Sequence, residues 1–503
     1  MIAQSANIDT QGNLTVVATG GDIITQGATL SMEKDATFTA AGDVHFDVAI
    51  NRYSQSANSS NKGFEVNGLN KYIAGVGKGR ENGKQSLIEE KGTVISVGGN
   101  SQTTAQQGDI IGKGLVLVSE GDNSFSAAGD ILFTTATTTQ TQRQARKNHD
   151  IGEVATSETE RFFGYHRERF NQAGDNLRHQ GSQVVSLNGN VEINAGKDYH
   201  QTSSQILSKN KLHITAENIE AVAAHNEQTQ QQSQSDLKIG QFNRIKSPII
   251  DIIQTVERVV KNKEASTRLQ TAQALGLAAQ GYTLADSIYK IANKTPNTGY
   301  LIRVESGTGV AHSRQLQESE AHLSQGNVLN GKEVVLTARD DNTESNAQNS
   351  NKTDRTLSTE SRANHNQSGT GNIRLEHADI VSKDKDGNRL ENSRIELNAN
   401  KIEIEAGESR TKEKSRGQNV GVEVGMFAQA GAQTGVGVYA TVGGGSQKAN
   451  GESSTYHNSH LDAEHIKFNS QGDITLNSTT ATAERIDVNA KGDLRIESNQ
   501  DSN

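Results

Sequence analysis

Residues 471–498, QGDITLNSTTATAERIDVNAKGDLRIES, decide the fold. Gly472-Asp473 opens a short run in which Ile474 and Leu476 fall on one face. Ile486 and Val488 mark a second run. Gly492-Asp493 opens a third, with Leu494 and Ile496, 20 residues after the first. A turn dipeptide followed by two apolar residues one position apart is a period-2 strand bounded by turn chemistry. Strands this short cannot bury a core alone, but stacked copies can.

The same unit recurs outward from this stretch. Gly21-Asp22-Ile23 is followed 21 residues later by Gly42-Asp43-Val44, and Gly108-Asp109-Ile110 by Gly129-Asp130-Ile131 at the same spacing. Related turns start at Gly12, Gly189, Gly326 and Gly371, with bare pairs such as Leu212/Ile214, Ile395/Leu397 and Ile402/Ile404 between them. A period near 20 with two or three short strands per turn predicts an all-β solenoid, a parallel β-helix. The handedness of parallel connections makes it right-handed. About 15 coils at roughly 4.8 Å each predict a rod about 70 Å long.

Composition agrees. The 503 residues include 49 Gly, only 2 Pro, no Trp, and 32% hydrophobic residues. A thin core needs few large side chains, and stacked strands exclude Pro because each N–H serves the next coil. The net charge of −9 with no large basic block predicts no nucleic-acid partner. The absence of Cys excludes a disulfide framework. MIAQSANIDT has neither a basic n-region nor an apolar h-region, so the expectation is the interior of a larger protein.

The pattern breaks into segments. Coils are expected over 1–50, 92–139, 182–236, 301–339, 371–416 and 457–503. Excursions are expected over 51–91, over 140–181 (polar and aromatic), and over 417–456 (a Gly-rich hairpin). Residues 340–370 read as a polar loop. Residues 237–300 read as a mostly helical excursion: Ser247-Pro248 is a helix start, followed by Ile249, Ile252, Ile253 and Val256 at helical spacing. A longer repeat opens at Gly63 (GFEV), Leu237 (LKIG) and Gly417 (GQNVGVEVG).

Two stretches are candidate interaction sites. Val420, Val422 and Val424 share one face of a strand, and Val436 and Val438 share that of the returning strand. Each strand is about ten residues, near the length that crosses an outer membrane. The competing reading packs this hairpin on the flank of the rod. Phe162, Phe163, Tyr165 and Phe170, flanked by Arg161, Arg167 and Arg169, form either a receptor or glycan platform or an anchor to the rod. No catalytic, cofactor or metal site is expected. Asp384 to Asn388 lacks the distal Glu of a calcium loop, and neither His-Glu-x-x-His nor Gly-x-Ser-x-Gly occurs. The alternative to a stalk is a β-helical carbohydrate-active enzyme, which requires Asp, Arg and Lys stacked on successive coils.

The Gly-Asp and Gly-Asn turns, connectors such as Asn194-Ala195-Gly196, and the VGVEVG run at 420–425 together resemble the haemagglutinin repeats of filamentous haemagglutinin-like proteins. These are bacterial exoproteins of two-partner secretion systems, including contact-dependent growth inhibition effectors. The resemblance implies a non-catalytic stalk, secreted or held at the cell surface in association with the outer membrane. It implies an outer-membrane secretion partner, a receptor on a host or neighbouring cell, and the target outer membrane as a further candidate contact. Such rods serve adhesion or carry a C-terminal toxin to neighbouring cells.

Overall fold

The computed structural model describes residues 3–65, 72–157, 160–246, 300–339, 371–384, 386–431 and 434–502. Three parallel sheets of ten strands each run its length, with one eight-stranded antiparallel sheet beside them. Each coil contributes one strand to each parallel sheet. The first coil is Asn7–Thr10, Leu14–Ala18 and Ile23–Gln26; the last is Thr479–Thr482, Arg485–Ala490 and Leu494–Glu497. The expected parallel β-helix is therefore the fold.

The Gly-Asp signature has a mechanical cause. Each turn aspartate accepts, through Oδ1, the backbone N–H of its counterpart in the next coil. Asp22 accepts from Asp43, Asp43 from Asp109 and Asp109 from Asp130, each at 2.8 Å. The ladder continues through Asp198 and Asn218 to Asn372 at 3.0–3.1 Å. A second ladder runs along the neighbouring corner through Asn13, Asp35, Asn100, Asp122 and Asn190. Glycine precedes most rungs, with Lys34, Lys197 and Glu217 the departures, and at the Gly-Asp turns the carboxylate below occupies the place of a Cβ. A Cβ at Gly42, Gly108 or Gly129 would fall within 2.1 Å of an aspartate Oδ1.

Period-2 alternation sends one set of side chains into the coil. Ile110, Ile131, Ile193, Leu212, Ile214, Val334, Leu336, Ile395, Leu397, Ile402 and Ile474 are fully buried there. Aromatic rings thicken the core where coils allow: Phe125 meets Phe133 edge-on at 5.3 Å, and Phe133 meets Tyr199 at 6.2 Å.

The corner between the third and first sheets alternates between two forms. After odd coils it closes directly through a left-handed residue: Gly27, Gly114, Ser203, His377 or Ser478, with φ between 45° and 57°. After even coils up to the eighth, a long hairpin leaves from the same corner. The hairpins are Ala49–Glu65 with Tyr72–Lys91, Ala136–Ser157 with Glu160–Gln180, Ala224–Lys246 with Tyr300–Gln325, and Gly407–Gly431 with Gly435–His457. Two strands for every two coils match the solenoid's own strand spacing of about 4.8 Å. The four hairpins therefore pair with one another as a continuous antiparallel meander, a fin standing off one corner of the rod.

Several segment assignments need correction. Residues 301–325, expected as coils, lie in the fin strand Tyr300–Gln325, and the ends of the expected coil segments from Ala136, Ala224 and Gly407 are fin strands too. Residues 237–246, expected in a helical excursion, continue the strand Ala224–Lys246. The helical spacing at 248–293 and the polar loop at 340–370 lie outside the described residues. Among the described residues the coils number ten rather than about 15, a stack about 45 Å long. The coil-end corrections share a cause: the fin's inner half, from Ala136 and Ala224 especially, is rich in Gln, Ser and Thr, which carry no apolar alternation. It is strand because neighbouring strands satisfy its backbone.

Candidate functional site: the two faces of the fin

Directly opposed residues of a sheet share a face, so the register sorts the fin into rows. On one face the distal half is polar yet buried. His166 is fully buried, with Nε2 3.2 Å from Asp236 Oδ2 and Nδ1 3.7 Å from Asp150 Oδ2. Glu168, also buried, takes Arg146 at 3.2 Å. Arg244 bridges Glu160 at 3.3 Å and the buried Glu423, which also accepts the Tyr439 hydroxyl. Burial works against the Arg244 charge, but Glu423 and Glu160 outweigh it and hold its pKa above the ordinary value. Burial, then the Glu423 contact, raises Tyr439. Arg303 reaches Glu305 at 2.7 Å and lies 3.7 Å over the Phe427 ring.

Glycines line up on this face. Gly152, Gly164, Gly240 and Gly309 are opposed in turn across four strands. A Cβ at Gly164 would fall 2.3 Å from the Ile239 carbonyl oxygen, so the strands approach too closely here for any side chain. The Phe162 and Phe242 rings, 5.0 Å apart, pack beside this row.

The opposite face is apolar and open. Val76, Ile151, Tyr165, Ile239, Val310, Val422 and Val442 are opposed in turn across seven strands. All but the half-buried Tyr165 are exposed. The band widens on the last hairpin, where Val424, Met426, Val436 and Val438 join it. Val436, Val438 and Val442 are 80–87% exposed.

The structure thus places the candidate valines together: Val420, Val422 and Val424 on one strand and Val436 and Val438 on its partner all lie on the apolar face. The aromatic group is not one platform. Strand alternation turns Phe162 and Phe170 to the polar face, Phe170 beneath Arg146 at 5.6 Å. It turns Phe163 and Tyr165 to the apolar face, where the Tyr165 hydroxyl lies 3.0 Å from His149 Nδ1. Reading the ten residues as a strand would have separated them. The charge networks had no signal in sequence, since Arg244 and Glu423 stand 179 residues apart.

The fin's base is held by the left-handed corners. Ser203 Oγ accepts the Ala224 N–H at 2.6 Å and donates to the Gln325 carbonyl. His377 Nδ1 lies 2.8 Å from Ser324 Oγ, and its ring stacks on His457 at 5.1 Å. On the solenoid itself, Arg374 sits among Glu220, Glu405 and Glu376 at 2.9, 3.6 and 3.8 Å. Among the described residues no group of three or more His, Asp or Glu is arranged to hold a metal.

A family model described as hemagglutinin repeat matches residues 2–87, 74–161, 163–244 and 344–503, well over half of the chain. Among curated proteins, a tRNA nuclease CdiA of Yersinia mollaretii is 22% identical over 80% of this chain and 13% of its own. A tRNA nuclease CdiA-2 of Burkholderia pseudomallei is 23% identical over 63% of this chain and 10% of its own. A toxin CdiA of Escherichia coli is 24% identical over 83% of this chain and 12% of its own. The chain spans little more than a tenth of the length of these relatives. No solved structure matches it.

Proposed function

This chain belongs to the hemagglutinin-repeat family, and from that membership we propose that it is a non-catalytic stalk segment of a secreted bacterial surface exoprotein. In this reading the stalk serves adhesion or the presentation and delivery of a toxin to neighbouring cells, and the fin is its contact surface. The relatives are named as nucleases and toxins, and we assign that chemistry to sequence outside the aligned tenth. An outer-membrane secretion partner, a surface receptor and localisation at the cell surface accompany this reading.

The observation that carries it is the inverted polarity of the fin. Charges and hydrogen bonds are buried on one face, while valines and isoleucines stand open on the other. A water-facing sheet has the opposite economy. Apolar-out alternation on antiparallel strands is the pattern of a sheet that meets lipid. A sheet with unpaired edges cannot sit alone in hydrocarbon, so full insertion requires the edges to be paired. The target outer membrane is the contact this face fits, and the solenoid sets the reach.

The enzyme alternative rests on the column that includes Glu220, Arg374 and Glu403 on the third sheet. Arg374 is already surrounded by carboxylates there, which favours a structural ion-pair network. The test is vesicle flotation and whole-cell binding by the full chain, beside a variant lacking residues 418–446. The expected result is binding to both, weakened in the variant. A chain that binds cells equally with and without that hairpin, and floats with no vesicle, would overturn the membrane-contact role.

A further inference from the structure

Two rows on the apolar face of the fin, just on the solenoid side of the apolar row, carry cations and no carboxylate. The first places Lys62, Lys78 and Arg167 in line, with His149 between the last two. The second places Arg80, Lys147 and Arg169 directly opposite one another on three adjacent strands, with Arg314 two strands further on. Arg167 is half-buried and the other six cations are exposed. Among the described residues none of the seven is ion-paired.

Like charges directly opposite on neighbouring strands destabilise a sheet. Lys147 faces Arg80 on one side and Arg169 on the other. The chain as a whole carries net charge −9, so carboxylates were available to interleave. Between the apolar row and the mixed-charge inner half, the two rows form a cationic belt one strand-pleat away from exposed Val76, Ile151 and Ile239. A soluble polyanion would need the cations but not the apolar row beside them. An anionic lipid offers both, a phosphate next to acyl chain.

We infer that the belt formed by Lys62, Lys78, Arg80, Lys147, Arg167, Arg169 and Arg314 binds the head groups of net-anionic phospholipids at a bilayer surface. It sets how deeply the apolar row enters the membrane. This rests on the membrane-contact reading and adds the lipid class to it. Arginine suits phosphate through its forked donors, and closely spaced cations share several head groups.

The experiment is flotation of the full chain with vesicles of phosphatidylcholine alone and of phosphatidylcholine mixed with phosphatidylglycerol. The chain is expected to bind the anionic vesicles at least about tenfold more tightly, and raising salt should shrink that margin. A variant carrying Arg80→Gln, Lys147→Gln, Arg169→Gln and Arg314→Gln should bind both vesicles alike. A charge-preserving variant, Arg80→Lys, Arg169→Lys and Arg314→Lys, should keep the preference and controls for folding. A neutralised variant that keeps the full preference would overturn the assignment. So would a sulfated polysaccharide that binds the chain without lipid and loses binding in the same variant. A wild-type chain that floats with neither vesicle would instead overturn the membrane-contact reading beneath it.

Discussion

The Oδ1 of Asp109 accepts the backbone N–H of Asp130 at 2.8 Å, and the same oxygen lies 1.9 Å from where a Cβ on Gly129 would be. One carboxylate thereby fixes both residues of the turn above it. Gly129→Ala must displace it and break the ladder at that rung. The expected loss is about 1–3 kcal/mol, read from urea unfolding. Asp109→Ala should cost about 1 kcal/mol, because the N–H of Asp130 is part-buried rather than sealed. If Gly129→Ala proves neutral, the carboxylate is not what excludes side chains there.

Phe133 lies fully buried between Phe125 and Tyr199. Phe133→Ala should cost about 3–5 kcal/mol, the range for emptying an aromatic site in a close-packed core. Because each coil touches only its neighbours, the loss should appear first as faster amide exchange in the fourth and fifth coils. Uniform acceleration along the rod would show the solenoid to be more cooperative than nearest-neighbour stacking implies.

Arg244 faces the buried Glu423 and the half-buried Glu160. Removing the guanidinium leaves Glu423 without its cation, so Arg244→Ala should destabilise the distal fin by about 3–5 kcal/mol. The double variant Arg244→Met, Glu423→Gln should recover much of that. The comparison is made by limited proteolysis and exchange in strands Ala224–Lys246 and Gly407–Gly431.

Burial, then the neighbouring His457, holds the His377 pKa below that of an ordinary imidazole. His460 and His225 push the same way, and Asp379 opposes. In the unfolded chain His377 takes its proton near pH 6.5, before it does in the fold. The unfolded state therefore binds more protons as pH falls below that value, and stability is lost from there down through the folded pKa. Protection factors of the Ser324 and Ser409 amides, at the serines that hold His377 and His457, should fall from pH 7.5 to 5.5 once the intrinsic pH dependence of exchange is divided out. His457→Gln should blunt the change.

Excising the hairpin Ala136–Gln180 and closing the corner with one glycine should leave the coils intact, since odd corners already close through Gly27 and Gly114. The fin should split in two. Strands Tyr72–Lys91 and Ala224–Lys246 would each gain an unpaired edge, visible as lost exchange protection along both.

The coils were legible because each Gly-Asp turn is a local signal tied to a mechanical need. Gly42, Gly108, Gly129 and Gly492 announce themselves by spacing alone. The fin was legible only in part. The repeat seen at Gly63, Leu237 and Gly417 marks outgoing hairpin strands, and the register adds a fourth copy at Ile151-Gly152-Glu153-Val154 on the remaining outgoing strand. That hairpins join into one sheet could not be read, because Leu237 meets His312 across 75 residues and no local pattern encodes such pairing. The face of each valine followed from alternation. The cationic rows became visible only once the register was known.

The hairpins leave at every second coil, and this makes the length of such a rod a quantity that changes in fixed steps. A duplication or deletion of one coil would shift every later hairpin by a single strand spacing and unzip the sheet at that point. A duplication of two coils with their hairpin inserts cleanly, extending rod and fin together. Inheritance in this lineage should therefore proceed by doublets, with odd-numbered changes purged as they arise.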